Sequence, residues 1–291
     1  MQKNTLDSSN IKILVCCHKP CELPRNDIFL PIQVGAAISD IDLGIQRDDQ
    51  VNGESCDNIS AKNKSYCELT AMYWAWKNIK KLYPDLEYIG LNHYRRFFSN
   101  KNKDSLEVEL SNYNFPSILK QIEKNLLAKK VTILSDPILF PFPLGITYCI
   151  AHSSMDFRVL KGVIEYKYPE YIPFFENEIE YSNKFSPFNM FIMRIEDFFS
   201  YCEWLFGILF EVEQKIDISR YDIYQKRIYG FMAERLLKVW VSKNTKIRYM
   251  PVEKFWLTVK CNNVLKYLYD IMKSFLYSIT FSIIKHWGKV Y

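Results

Sequence analysis

The residues best equipped for chemistry stand together at His93-Tyr94-Arg95-Arg96. Two adjacent guanidiniums offer up to about ten N–H donors in rigid planar forks, a shape that matches phosphate. The imidazole beside them adds a group that changes charge near neutral pH. On an ordinary surface turn the same pair would simply bind nearby carboxylates, so its context decides. Residues 88–91 are aromatic and β-branched around Gly90, which reads as a short buried strand where a second backbone comes close. In open α/β sheets, ligands bind outside the C-terminal ends of the strands.

Candidate acids and bases lie elsewhere in the chain. Asp136 ends the apolar run 131–136, a place shared by catalytic acids and common turn starters. Glu234 and Arg235 interrupt an apolar helical pattern of Phe231, Leu236, Leu237 and Trp240. They form either a structural pair or a carboxylate held at a cleft for proton transfer. Glu68, set among aromatics, is expected to be buried. His18 follows the first strand as a candidate contact to a base or phosphate. Asn58, Ser60, Lys62 and Asn63 crowd a helix start, where backbone N–H groups favour anions. His152, read as a helix start, and Asn189, at the head of an apolar run, complete the set.

Positioning these residues requires an α/β arrangement. Strands are expected at 11–17, 31–37, 88–91, 131–136 and 189–193, and helices at 57–83, 113–130, 147–164, 196–212 and 224–241. No G-x-G-x-x-G or G-x4-G-K-[ST] is present, so neither a dinucleotide site nor a P-loop is supported. The tail differs in composition: across 260–291 an apolar helical pattern is interleaved with five lysines and one acid, Asp270. Its longest charge-free run, 274–284, falls far short of the roughly 20 residues that span a bilayer. The alternatives are a basic amphipathic helix on a membrane surface and a helix packed on the domain or a second subunit.

Composition narrows the class. The 291 residues are 48% hydrophobic and 16% aromatic, ample for a core. A formal net charge of +5 suits anionic substrates or membranes and is too weak to indicate nucleic acid. Eight cysteines are scattered, and Cys17-x3-Cys21 has no second pair to complete a zinc site. Without a visible signal peptide, reduced thiols and a cytoplasmic location are expected.

Taken together, the motifs resemble the DUF4422 family of bacterial capsular and exopolysaccharide biosynthesis glycosyltransferases. The run Asp57-Asn-Ile-Ser-x-Lys-Asn-x-x-Tyr-Cys-Glu-Leu-Thr-Ala-x-Tyr-Trp-Ala-Trp-Lys-Asn78 is similar to its opening signature. Tyr88-Ile-Gly-Leu-x-His-Tyr-Arg-Arg-Phe97 resembles its second block. Asn189-Met-Phe-Ile-Met193 with the run from Tyr201, and Arg227-x-x-Gly-Phe-x-x-Glu-Arg-Leu236, resemble the third and fourth. The resemblance spans about residues 11–255.

It implies a GT-A-like domain with a mixed central sheet flanked by helices over 11–258, after a disordered 1–10 and before an amphipathic helical tail at 259–291. It also implies transfer of a sugar, galactofuranose being one candidate, from a nucleotide-diphosphate donor such as a UDP-sugar. The acceptor would be a glycan or lipid-linked oligosaccharide of capsular, exopolysaccharide or O-antigen synthesis. Work would proceed at the inner face of the cell membrane, bound through the tail. In that frame His18, Asn58, Ser60, Lys62, Asn63, His93, Arg95 and Arg96 hold the donor, and His152 and Asn189 meet the acceptor. Glu234, or failing it Asp136, is the base of an inverting reaction; the preference for Glu234 is analogy. GT-A enzymes usually carry an Asp-x-Asp for a metal at the strand end that here reads Asn92-His-Tyr-Arg-Arg96. No cofactor is therefore expected, with a divalent manganese or magnesium ion as the open alternative. A non-catalytic nucleotide-sugar or glycan-binding component of an assembly complex is the rival function.

Overall fold

In the computed structural model, residues 6–23, 26–100, 115–126, 130–254, 272 and 276 are described. The main sheet comprises Ile11–Cys17 (β1), Phe29–Gln33 (β2), Gln46–Arg47 (β3), Tyr88–His93 (β4), Arg96–Phe98 (β5), Val131–Ser135 (β6), Phe191–Arg194 (β7), Lys246–Met250 (β8) and Val252–Lys254 (β9). Its order is β8-β6-β7-β4-β1-β2-β3, with β5 pairing β4 and β9 pairing β5. β7 runs antiparallel to both neighbours, while β1 is parallel to β2 and β4. The sheet is therefore mixed.

All seven residues of β1 are buried, as expected of a strand covered on both faces. Alternation divides them. Leu14 and Cys16 join the larger core, whereas Ile11, Ile13, Val15 and Cys17 join the smaller one on the other face. The larger core is closed by Leu69–Leu82 (α2), Ser154–Lys167 (α5), Ile195–Glu213 (α6) and Ile228–Asn244 (α7), and the smaller by Phe115–Leu126 (α3). Asn63–Tyr66 (α1) and Leu144–Ala151 (α4) are shorter. A Cβ on Gly90 would come within 2.9 Å of Ile192 Cγ1 and 3.0 Å of the Phe191 carbonyl oxygen. The β4–β7 pairing at the centre of the sheet thus demands glycine.

Three elements differ from expectation, each for a local reason. The helix over 57–83 is broken: a 3-10 turn and α1 end at Cys67, which has φ 52° and ψ −129°, and α2 begins at Leu69. The side chains of Asn63 and Thr70 both donate to the Cys67 carbonyl, at 2.7 and 3.1 Å. They offer it an alternative to the helical ladder. The helix over 147–164 is likewise two helices, with His152 extended between them and Ser153 accepting the Asp156 N–H at 3.2 Å. Ser153-x-x-Asp156 is a helix-start pattern in plain view. The second strand begins at Phe29, ahead of residue 31, and the chain turns at Gly35, φ 69°.

The domain also starts before Ile11. Leu6 is buried, its N–H donates to Glu123 at 2.8 Å, and the Asn10 carbonyl receives the N–H groups of Glu87 and Tyr88. No helix among the described residues is long and apolar enough to cross a membrane. The expected tail helix at 259–291 lies outside the described residues, apart from Met272 and Leu276.

Candidate active site at the ends of β1 and β4

Parallel pairing sets Cys16 of β1 opposite His93 of β4, so both strands deliver their following residues at one level. The Tyr94 N–H donates to the Cys16 carbonyl at 3.1 Å. Its buried ring is the floor of a basic cluster: His18 packs edge-on at 5.0 Å, the Arg95 guanidinium lies over it at 4.8 Å, and Lys19 Nζ at 5.7 Å. Burial first, then Lys19, Arg95, His93 and Arg227, holds the His18 pKa below its ordinary value. His18 is thus expected to be neutral at pH 7.

A tight reversal brings Arg96 back opposite His93. The Arg96 guanidinium lies 4.3 Å from the centre of the Phe188 ring. His93 Nε2 donates to the Phe188 carbonyl at 2.7 Å, and since a carbonyl only accepts, that nitrogen carries the proton. Burial lowers the His93 pKa to about 4. The ring is therefore neutral with its proton already committed to that carbonyl, where the expectation gave it to the donor diphosphate. It fixes the loop at Phe188 instead.

That loop holds two carboxylates. The Phe188 N–H donates to Glu234 Oε1 at 2.8 Å, and the Asn189 amide donates to Glu68 Oε1 at 2.6 Å. Phe188 has φ 77° and Asn189 φ 52°, while Cys67, just before Glu68, also has φ 52°. These are three of the five non-glycine residues with positive φ among the described residues. Such backbone costs of order 1–3 kcal/mol for a residue like Phe and persists where surrounding structure enforces it, as at active sites. Burial raises the pKa of Glu68 and of Glu234; at Glu234 the Arg235 charge opposes the shift and the Glu68 charge adds to it. Arg235 Nη1 sits 3.5 Å from Glu234 Oε2 and donates to the Phe231 carbonyl at 2.8 Å, with the rings of Tyr148 and Phe185 on it at 5.0 and 4.8 Å. A carboxylate poised above its usual range beside guanidiniums is suited to taking a proton from a hydroxyl.

Two members of this cluster escape residue-by-residue reading. Arg227 donates from Nε to Cys67 Sγ at 3.3 Å, and its charge is felt by Glu68 and His93. Its spacing from Phe231 and Glu234, four and seven residues, places all three on one helical face, a signal available in the sequence. Glu68 is half-buried, and its position depends on the break at Cys67, which apolar periodicity runs straight through.

The other candidates are placed differently. Ser60 is buried: its hydroxyl donates to Asp48 and accepts the Ala37 N–H. Asn58 accepts the Ser60 N–H, Asn63 serves Cys67 and Thr70, and Lys62 Nζ binds Glu213 Oε2 at 2.6 Å. Asn189 is buried against Glu68 and Gly230, so it holds a carboxylate where acceptor contact was expected. Asp136 follows β6, two strands from β4, with its N–H on the Met250 carbonyl at 2.9 Å. His152 borders a separate cavity. Among the described residues no group of three or more His, Cys, Asp or Glu is placed to hold a metal. The β4 end, with a committed imidazole and two guanidiniums, does not fit a divalent cation.

Comparison with known proteins adds two findings. A family model, "Domain of unknown function (DUF4422)", matches residues 12–245. The apo structure of WbbM, a bifunctional glycosyltransferase, is similar with a TM-score of 0.68 and 26% identity, covering 84% of this chain and 45% of that one. The chain thus spans less than half the length of that protein. No curated protein matches.

Proposed function

The chain belongs to the DUF4422 family, and from this and the site's geometry we propose that it is an inverting glycosyltransferase using a nucleotide-diphosphate sugar. The observation that carries the proposal is the meeting, at the ends of β1 and β4, of an arginine pair with a strained loop that grips Glu234.

In the proposed reaction the donor diphosphate lies against Arg95 and Arg96. Glu234 takes the proton of the acceptor hydroxyl as that oxygen attacks the anomeric carbon. The bond from that carbon to the diphosphate oxygen breaks, and the guanidiniums receive the charge that develops on the leaving group. Arg235, 3.5 Å from Glu234, limits how far burial suppresses ionisation of the base. The loop after β1, with His18, lines the nucleotide side. UDP is the proposed nucleotide, galactofuranose a candidate sugar, and a growing capsular, exopolysaccharide or O-antigen chain the proposed acceptor. The basic tail would bring the enzyme to the inner face of the membrane.

The test is to incubate the purified protein with a panel of nucleotide-sugars, with and without excess EDTA, and follow nucleoside diphosphate release. Release from at least one donor, persisting in EDTA, is expected. Silence across the panel, with and without acceptor glycans, would reject catalysis. Loss in EDTA restored by manganese would place acids elsewhere around a metal.

A further inference from the structure

The start of α7 is fastened to both strained corners of the site. A Cβ added at Gly230, in its first turn, would stand 3.4 Å from Cys67 Sγ, and the Asn189 amide donates to the Gly230 carbonyl at 3.4 Å. Arg227, the residue just before the helix, is carried to the same place. Its Nε donates to Cys67 Sγ at 3.3 Å, and its guanidinium lies 5.4 Å from the centre of the Phe231 ring. The residue is exposed, so a ligand can reach it.

Cys67 is a poor partner for such a group, because a thiol sulfur is a weak acceptor and a guanidinium carries five N–H donors. Glu68 and Glu234 are both close enough for Arg227 to feel their charge. Even so, among the described residues Arg227 makes no ion pair with a carboxylate. Elsewhere in the fold Lys161, Lys238 and Arg47 hold theirs at 2.6, 2.7 and 2.8 Å. A cation set between carboxylates without pairing to them keeps its planar fork for a ligand.

The position of Arg227 names the ligand. Its charge is felt by His18, on the nucleotide side, and it in turn feels Glu234, the base beside the anomeric carbon. A donor with its nucleoside at His18 and its sugar at Glu234 must pass its diphosphate between them. Arg95 and Arg96 meet that diphosphate from the end of β4, and Arg227 meets it from α7. Arg227 stands about 10 Å along the helix from Glu234, on the same face. It therefore approaches from the sugar side, where the terminal phosphate lies.

We propose that Arg227 is a third phosphate ligand, reaching from the start of α7 to the terminal phosphate of a bound nucleoside diphosphate and exchanging Cys67 Sγ for it. The inference rests on the transferase assignment above for the placement of the donor, and adds the residue that holds the leaving group from the helix side.

The test is calorimetry on the full-length protein with UDP and GDP and with the matching monophosphates, UMP and GMP. Arg227→Ala should weaken diphosphate binding about 10- to 100-fold, the range of a charge-assisted hydrogen bond, and leave monophosphate binding nearly unchanged. Arg227→Lys should restore part of the loss, since the charge returns without the fork. Both variants should melt as the wild type does, the side chain being exposed. Cys67→Ala, which removes the sulfur and leaves the guanidinium, should bind diphosphate as the wild type does. Equal losses for diphosphate and monophosphate in Arg227→Ala, or the same loss in Cys67→Ala, would make Arg227 a strap on the Cys67 corner and overturn the proposal. So would unchanged diphosphate affinity in Arg227→Ala, or no binding of either diphosphate by the wild type. Nucleoside diphosphate release from nucleotide-sugars in the same samples reads the transferase assignment separately. Arg227-dependent diphosphate binding without any wild-type release would reject catalysis and leave the phosphate ligand standing.

Discussion

Two polar regions of this chain are built in opposite ways. At the helix start over 57–63, every polar side chain is spent on the chain itself. Asp48, fully buried, accepts the N–H groups of Gly35 and Ala36 and the Ser60 hydroxyl. Asn58 and Asn63 satisfy neighbouring backbone, and Lys62 reaches Glu213. At the ends of β1 and β4, positive-φ backbone presents two carboxylates that burial raises above their ordinary pKa, and the guanidiniums of Arg95 and Arg96 rest on ring faces. The first region relieves local needs; the second maintains costly states that only a function repays. Polar residues at a helix start mark where backbone lacks partners. Strained, desolvated charge marks a site.

The sharpest way to break this contrast is Glu234→Gln. If Glu234 is the base, transfer should fall by about 10²- to 10⁴-fold, with UDP affinity retained in calorimetry. The pH profile adds a sign. Burial raises the folded pKa above the ordinary 4.5, so transfer should be lost as pH falls through that raised value. The native state also binds this proton more tightly than the unfolded chain does. Its stabilising effect is therefore full below 4.5 and disappears as pH rises through the folded pKa. Glu234→Gln should remove that part of the pH dependence of melting. Unchanged turnover in the variant would return the base to another carboxylate, Glu68 first.

Next in size are the arginines. Arg95→Ala and Arg96→Ala should each weaken UDP binding by about 1.5–3 kcal/mol, the range for a charge-assisted hydrogen bond. Lysine should restore only part, having no planar fork. Calorimetric affinity unchanged in both would remove the diphosphate from this end of the sheet.

Ser60→Ala probes the other region. It strips a donor from buried Asp48 and an acceptor from the Ala37 N–H, so it should cost about 1–3 kcal/mol of stability with UDP affinity unchanged in the folded protein. Thermal melting and calorimetry on one sample separate the two effects. A variant that melts normally but binds UDP poorly would make Ser60 a ligand residue after all.

How much of this was legible depends on the range over which the determinants act. β1 reads directly because a short run that is apolar but for Lys12 has few alternatives to a doubly covered strand. Strands separated by amphipathic helices mark an α/β sheet, while its mixed character is what the family resemblance implies. The place of the arginine pair is legible because residue type and a strand end coincide. The place of Glu68 beside Asn189 is not, because side chains of Asn63 and Thr70 break the helix at Cys67 while the apolar spacing continues across it. The hydrogen bond that His93 makes is not legible locally, because its partner, the carbonyl of Phe188, lies 95 residues away. The partners of Ser60 and Lys62, Asp48 and Glu213, come from other segments and so are not legible at the helix start itself.

Lys62→Ala is the smallest and most discriminating test. Its ammonium lies 2.6 Å from Glu213, which also receives the Tyr66 hydroxyl at 3.0 Å, so the residue straps the segment before α1 to the end of α6. The side chains of Lys62 and Glu213 are 44% and 29% exposed, and water and salt screen such a pair to within about 1 kcal/mol. Melting should therefore shift only slightly, by an amount that shrinks further in high salt, and the Tyr66–Glu213 bond should survive. UDP affinity should not move. If it falls as far as in Arg96→Ala, a cation the structure shows committed to Glu213 must leave it for the donor's phosphates. The helix start would then belong to the site, and the two regions would have to be treated as one.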